Sequence, residues 1–122
     1  MILRIDHVQL AMPEGGEAAA RAFYEGVLGL SEVEKPEGLR GRGGCWFEGG
    51  PPGAPVRVHL GVEAGFRPAR KAHPCFVVAD IDAFSVRCAE RGVSFLRDEA
   101  VAGVMRGFLE DPFGNRIEVM AG

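Results

Sequence analysis

Apolar and polar positions alternate from residue 3 to residue 12, with Val8, Leu10 and Met12 on one face and Ile5, His7, Gln9 and Ala11 on the other. That two-residue period predicts a strand. Between about residues 16 and 27 the period lengthens: Ala19, Ala22, Phe23 and Val27 form an apolar stripe at helical spacing, and Gly29 supplies a stop. Three further strands are predicted at 30–34, 44–48 and 56–62, separated by glycine- and proline-rich segments that suit turns. The first half therefore reads βαβββ.

The second half repeats that order, with a strand at 73–78, a helix at 81–91 and strands at 94–97, 106–110 and 115–120. In Glu110-Asp111-Pro112-Phe113-Gly114-Asn115, proline fixes one dihedral and glycine accepts a positive one, which predicts a hairpin and sets Glu118 on the last strand. The expectation is a single α+β domain, residues 1–122, of two repeated modules at about 1–63 and 72–122, joined by a linker at 64–71.

The repeat singles out four residues. His7 opens the first half as His73 opens the second, and His59 closes the first as Glu118 closes the second. The second offset is the shorter, because the loop from Gly49 to Pro55 is longer than that from Asp111 to Gly114. Successive strand residues point to opposite faces, so Val8 and Leu10, Phe76 and Val78, Val58 and Leu60, and Ile117 and Val119 can all face the helices. His7, His59, His73 and Glu118 then share the other face, which makes them candidate metal ligands.

Composition narrows the function classes. Apolar residues at 47% and charged residues at 25% are ordinary for a globular chain, and 18 glycines with 8 prolines fit many turns. A net charge of −3 without a basic, aromatic-studded patch disfavours nucleic acid. Cys45, Cys75 and Cys88 lack the short spacings of zinc or redox motifs and read as reduced, buried thiols. With no apolar run of spanning length and no leader pattern, the expectation is a cytoplasmic protein without membrane association.

Three motifs carry a resemblance: Ile5-Asp6-His7-Val8, Ala22-Phe23-Tyr24-Glu25-Gly26-Val27-Leu28-Gly29-Leu30, and Asp111-Pro112-Phe113-Gly114-Asn115-Arg116-Ile117-Glu118. Together they resemble the vicinal oxygen chelate superfamily, which includes glyoxalase I, extradiol ring-cleavage dioxygenases, fosfomycin resistance thiol transferases and bleomycin-binding proteins. The resemblance implies two βαβββ modules whose curved mixed sheets surround a cleft, with metal ligands on the first and last strands of each module. It also implies a homodimer. In glyoxalase I-like members the closing position of the first module is usually glutamate, so His59 departs from that pattern. Ring-cleaving and fosfomycin-resistance members use two histidines and one carboxylate, which His7, His73 and Glu118 supply, leaving His59 as a fourth ligand or a nearby acid–base group.

Two histidines and a carboxylate leave coordination positions open, so a substrate can chelate through two adjacent oxygens. The ion then acts as a Lewis acid, and Glu118 is the candidate base. With His59 as a fourth ligand, a tetrahedral zinc would be closed to substrate. The set therefore suits octahedral Mn, Fe or Ni, or a zinc with an expanded shell. Arg57 and Arg116, each two residues before a closing ligand, point to the same face and are candidate binders of an anionic substrate. The plainer account is an ion pair with a neighbouring glutamate.

Trp46, Phe47 and Phe108 suit an apolar cleft lining, with core packing the commoner use, and Tyr24 reads as packing. The basic stretch from Phe66 to Lys71 reads as solvated linker, and Gly41-Arg42-Gly43-Gly44 lacks the lysine and hydroxyl of a phosphate loop. Two readings follow. One is a glyoxalase- or dioxygenase-like metalloenzyme performing isomerase, lyase, ring-cleavage or thiol-transfer chemistry on a small oxygen-rich molecule. The other is a metal-free protein of the bleomycin-resistance type that sequesters a small molecule.

Overall fold

A computed structural model describes all 122 residues as an α+β protein that divides into two compact units, Met1–Arg67 and Pro68–Gly122. The first unit contains β1 (Val8–Met12), α1 (Glu17–Tyr24), β2 (Ser31–Val33), a 3-10 helix (Glu37–Arg42), β3 (Cys45–Gly49) and β4 (Val56–Val62). The second contains β5 (Cys75–Val78), α2 (Ile81–Glu90), β6 (Leu96–Asp98), β7 (Arg106–Glu110) and β8 (Arg116–Ala121). Each unit forms one four-stranded mixed sheet, ordered β1-β4-β3-β2 and β5-β8-β7-β6. In both, the first strand pairs in parallel with the last, and the remaining pairs are antiparallel.

One face of each sheet is packed. In the first unit Met12, Cys45, Phe47, Val58 and Leu60 are buried together with Ala20, Phe23 and Tyr24 of α1. Tyr24 stacks on Phe47 with ring centroids 5.3 Å apart, so both are core residues. In the second, Leu109, Ile117 and Val119 are buried together with Ile81, Phe84 and Cys88 of α2. A fully buried side chain of this size contributes roughly 1.5–3 kcal/mol, so the alternation along β4 and β8 fixes which face each strand turns outward. Asp80 caps α2 by accepting from the Ala83 N–H at 2.9 Å.

Two local devices position the strands that matter. Gly44, at φ +80°, leads into β3 where an added Cβ would lie 2.1 Å from the Leu60 carbonyl oxygen, so only glycine fits that approach. Between β7 and β8, the Asp111 carboxylate accepts from the Phe113 and Asn115 N–H groups and from the Asn115 amide, each at 2.9 Å. That closed turn sets the register Phe108↔Glu118.

The eight strands and two helices match the expected order, but the first strand of each unit is shorter than expected. Residues 3–7 and 73–74 lie outside β1 and β5. Met1, Ile2, Leu3 and Ile5 are exposed, so the alternation of this stretch is not matched by burial against its own sheet. His7 and His73 each stand just before a first strand.

Candidate functional site

In the first unit, Gln9, His59, Trp46 and Val33 occupy one cross-strand row. His59 faces away from the core side of Val58 and Leu60, yet only 5% of it is exposed. Its ring lies between two others: Trp46, parallel at a centroid distance of 3.7 Å, and His7, at 4.0 Å and 21°. Burial, followed by the neighbouring His7, lowers the His59 pKa and favours the neutral imidazole.

His7 is oriented from the other side. Its Nδ1 is 3.1 Å from an Asp6 carboxylate oxygen, whose partner oxygen is 3.3 Å from Arg4 and 3.4 Å from Arg57. The His7 bond, opposed by burial and assisted by the two arginines, lowers the Asp6 pKa. A charged carboxylate facing Nδ1 selects the tautomer with the proton there and the Nε2 lone pair free.

In the second unit the corresponding row is Cys75, Glu118, Phe108 and Leu96. Glu118 therefore takes the register position of His59, and Phe108 that of Trp46. His73 donates its Nδ1–H to the Lys71 carbonyl oxygen at 2.8 Å, which turns Nε2 toward Glu118. That Nε2 is 3.2 Å from Glu118 Oε1. The two form an ion pair when His73 is protonated, and stand as adjacent candidate ligands when it is not.

Glu118 Oε2 accepts from the Cys75 thiol at 3.3 Å, and Arg106 lies 3.5 Å from Oε1. Burial pushes the Glu118 carboxyl up, but the thiol, His73 and Arg106 together hold it below its ordinary value. Cys45 and Cys88 are buried as expected, whereas Cys75 is an exposed residue. Partial burial of its sulfur and the bonded Glu118 carboxylate push the Cys75 thiol up to about 11.

The structure thus brings His7 to His59 and His73 to Glu118, and it gathers no group of three metal-ligating side chains around one point. The arginines behave differently. Arg57 is held by Asp6 and by Glu48 at 3.4 Å, the ion pair anticipated as its plainer role. Arg116 lies over the Phe108 ring, 4.2 Å from its centroid, and makes no ion pair. Sequence reading missed Asp6, Cys75 and Arg106. The carboxylate directly before His7 was an available signal for Asp6, while a lone cysteine and a lone strand arginine carry none.

Repeated βαβββ sheets, each with a histidine ahead of its first strand and a metal-type donor on its last, define a fold of the vicinal oxygen chelate class. The chain belongs to the Glyoxalase/Bleomycin resistance protein/Dioxygenase superfamily, whose family model matches residues 4–119. It is similar to a glyoxalase family protein from Bacillus anthracis at 47% identity, over 100% of this chain and 97% of that one, with a TM-score of 0.92. It shares its fold with the fosfomycin resistance protein FosX from Listeria monocytogenes, at 16% identity, 100% and 95% coverage and a TM-score of 0.76. The same holds for TnmS3, an antibiotic binding protein from Streptomyces sp. CB03234, at 24% identity, 98% coverage of both chains and a TM-score of 0.70. Among curated proteins there is no match. No helix is long and apolar enough to cross a membrane.

Proposed function

We propose that this protein is a metal-dependent enzyme that draws the ligands of a divalent ion from His7, His59, His73 and Glu118 and acts on a small oxygen-rich substrate. The observation that carries this reading is the 3.2 Å approach of His73 Nε2 to Glu118 Oε1, which sets an imidazole nitrogen and a carboxylate oxygen side by side within reach of one ion. Three features support it. Nδ1 of both His7 and His73 is tied to an acceptor, the outer-shell arrangement that orients a ligating imidazole. His59 is buried and biased to the neutral form. Imidazole and carboxylate together suit Mn, Fe, Ni or Zn.

The bound ion would supply Lewis-acid polarisation of a chelated oxygen. The chain's own residues do the rest. Glu118, held charged by Cys75, His73 and Arg106, is a proton acceptor beside the chelated group. Trp46 beside His59 and Phe108 beside Glu118, at equivalent register positions, give each pair of proposed ligands an apolar neighbour. Isomerase, lyase, ring-cleavage and thiol-transfer reactions all fit that arrangement. A homodimer belongs to this reading, supported by the exposed Met1, Ile2, Leu3 and Ile5.

The paired aromatics also favour a second reading, a small-molecule-sequestering protein whose polar residues merely line the cavity. Elemental analysis of untagged protein, reconstituted and desalted, separates the two. The enzyme reading expects one metal per chain in the wild type and loss of it in His73→Ala. Wild-type protein without metal overturns it in favour of sequestration.

A further inference from the structure

We propose that the β7–β8 face of the second unit carries an anion-binding subsite, formed by Arg116 and Arg106 around the Phe108 ring. The substrate would then bear a carboxylate or a phosphate-like group. The first observation is the state of Arg116. Its guanidinium lies 4.2 Å from the Phe108 centroid and takes part in no hydrogen bond or ion pair. Glu110 is its register partner across the β7–β8 ladder, yet the two form no ion pair. An arginine on an aromatic face is held in place by the ring while its N–H edge stays available. Arg116 is thus oriented without its five donors being used.

The second observation is Arg106. Its guanidinium lies 5.4 Å from the same ring centroid, and its side chain is only 20% exposed. Its terminal nitrogens meet Asp98 at 3.4 Å and Glu118 at 3.5 Å, both long for charge-assisted bonds, which run at roughly 2.7–2.9 Å. Its Nε is shielded from solvent and has no partner. A cation that engages Glu118 would remove part of what neutralises Arg106, leaving two guanidinium groups around one ring. Arg57 offers no such vacancy, because Asp6 and Glu48 already hold it.

Because Phe108 is the register partner of Glu118, an anion bound here lies beside the residue proposed to accept a proton. The subsite thereby selects small acids over neutral diols or ketones. This extension rests on the proposed function for its chemistry, but Arg106 and Arg116 are not among the proposed metal ligands, so the two are separable by experiment.

The test is a titration of metal-free, full-length, 15N-labelled protein with inorganic phosphate at constant ionic strength, following the arginine Nε–H resonances by NMR. Saturable shifts of Arg106 and Arg116 are expected. Each of Arg116→Gln and Arg106→Gln should weaken phosphate about tenfold or more, the loss of a hydrogen bond to a charged group. Arg57→Gln should leave affinity unchanged. No saturable shift, or equal losses in the Arg57 and Arg116 variants, overturns the subsite. Phosphate binding in a wild-type protein that takes up no metal overturns the proposed function alone, and metal uptake without phosphate binding overturns the subsite alone. Arg116→Gln removes no hydrogen bond or ion pair within the protein, so the test survives if Arg106→Gln fails to fold.

Discussion

Trp46 and His59 stack with parallel rings and a centroid separation of 3.7 Å, and Trp46 is the only tryptophan in the chain. Intrinsic fluorescence therefore reports directly on the state of His59, because an imidazolium against an indole face quenches emission. Burial and His7 lower the His59 pKa, so the quenching transition should fall below the ordinary value of 6.5. The same shift makes the folded protein resist a proton that the unfolded chain accepts below about 6.5. Stability contributed by neutral His59 is therefore complete above that pH and declines as pH falls toward the folded value. A pH titration of wild type and His59→Gln checks both: the transition should vanish in the variant. A wild-type midpoint above 6.5 would contradict the burial argument.

Cys75 is exposed but bonded to the Glu118 carboxylate, and its thiol is pushed up to about 11. Since the thiolate is the reactive form, alkylation by iodoacetamide at pH 8 should be slow compared with an unstructured cysteine. Glu118→Gln removes the negative charge and should speed modification of Cys75 several-fold, measured by mass spectrometry of the tryptic peptide. An unchanged rate would show that the carboxylate does not govern the thiol.

Asp111 and Asn115 are buried polar residues whose mutual bonds close the β7–β8 turn. Asp111→Ala leaves buried N–H groups without an acceptor and should cost roughly 2–3 kcal/mol. Urea unfolding followed by circular dichroism measures the loss. A value under about 0.5 kcal/mol, the level of an ordinary surface change, would mean that water replaces the carboxylate.

Strand parity is what made much of this legible from sequence. Val58 and Leu60, and Ile117 and Val119, are buried on one face, and His59 and Glu118 lie on the other because side chains alternate. Repeat position likewise pointed to His7 and His73 before any fold was known. Periodicity could not show that strands β1 and β5 begin after these histidines, because an exposed alternating stretch reads the same as a paired one. Nor could it show that Trp46 covers His59 or that Arg106 reaches Glu118, since both are cross-strand relationships set by register. Arg57 and Arg116 hold equivalent places in the sequence, and only their neighbours in space, Asp6 and Glu48 against Phe108, separate a satisfied ion pair from an open guanidinium.

The central claim is that His7, His59, His73 and Glu118 are metal ligands. Calorimetric titration of metal-free protein with Co²⁺, repeated on His7→Ala, His59→Ala, His73→Ala and Glu118→Gln, tests it most directly. The account predicts saturable binding to the wild type and a loss of about tenfold or more in affinity for each variant. No saturable binding, or affinity unchanged in any of the four variants, would contradict it.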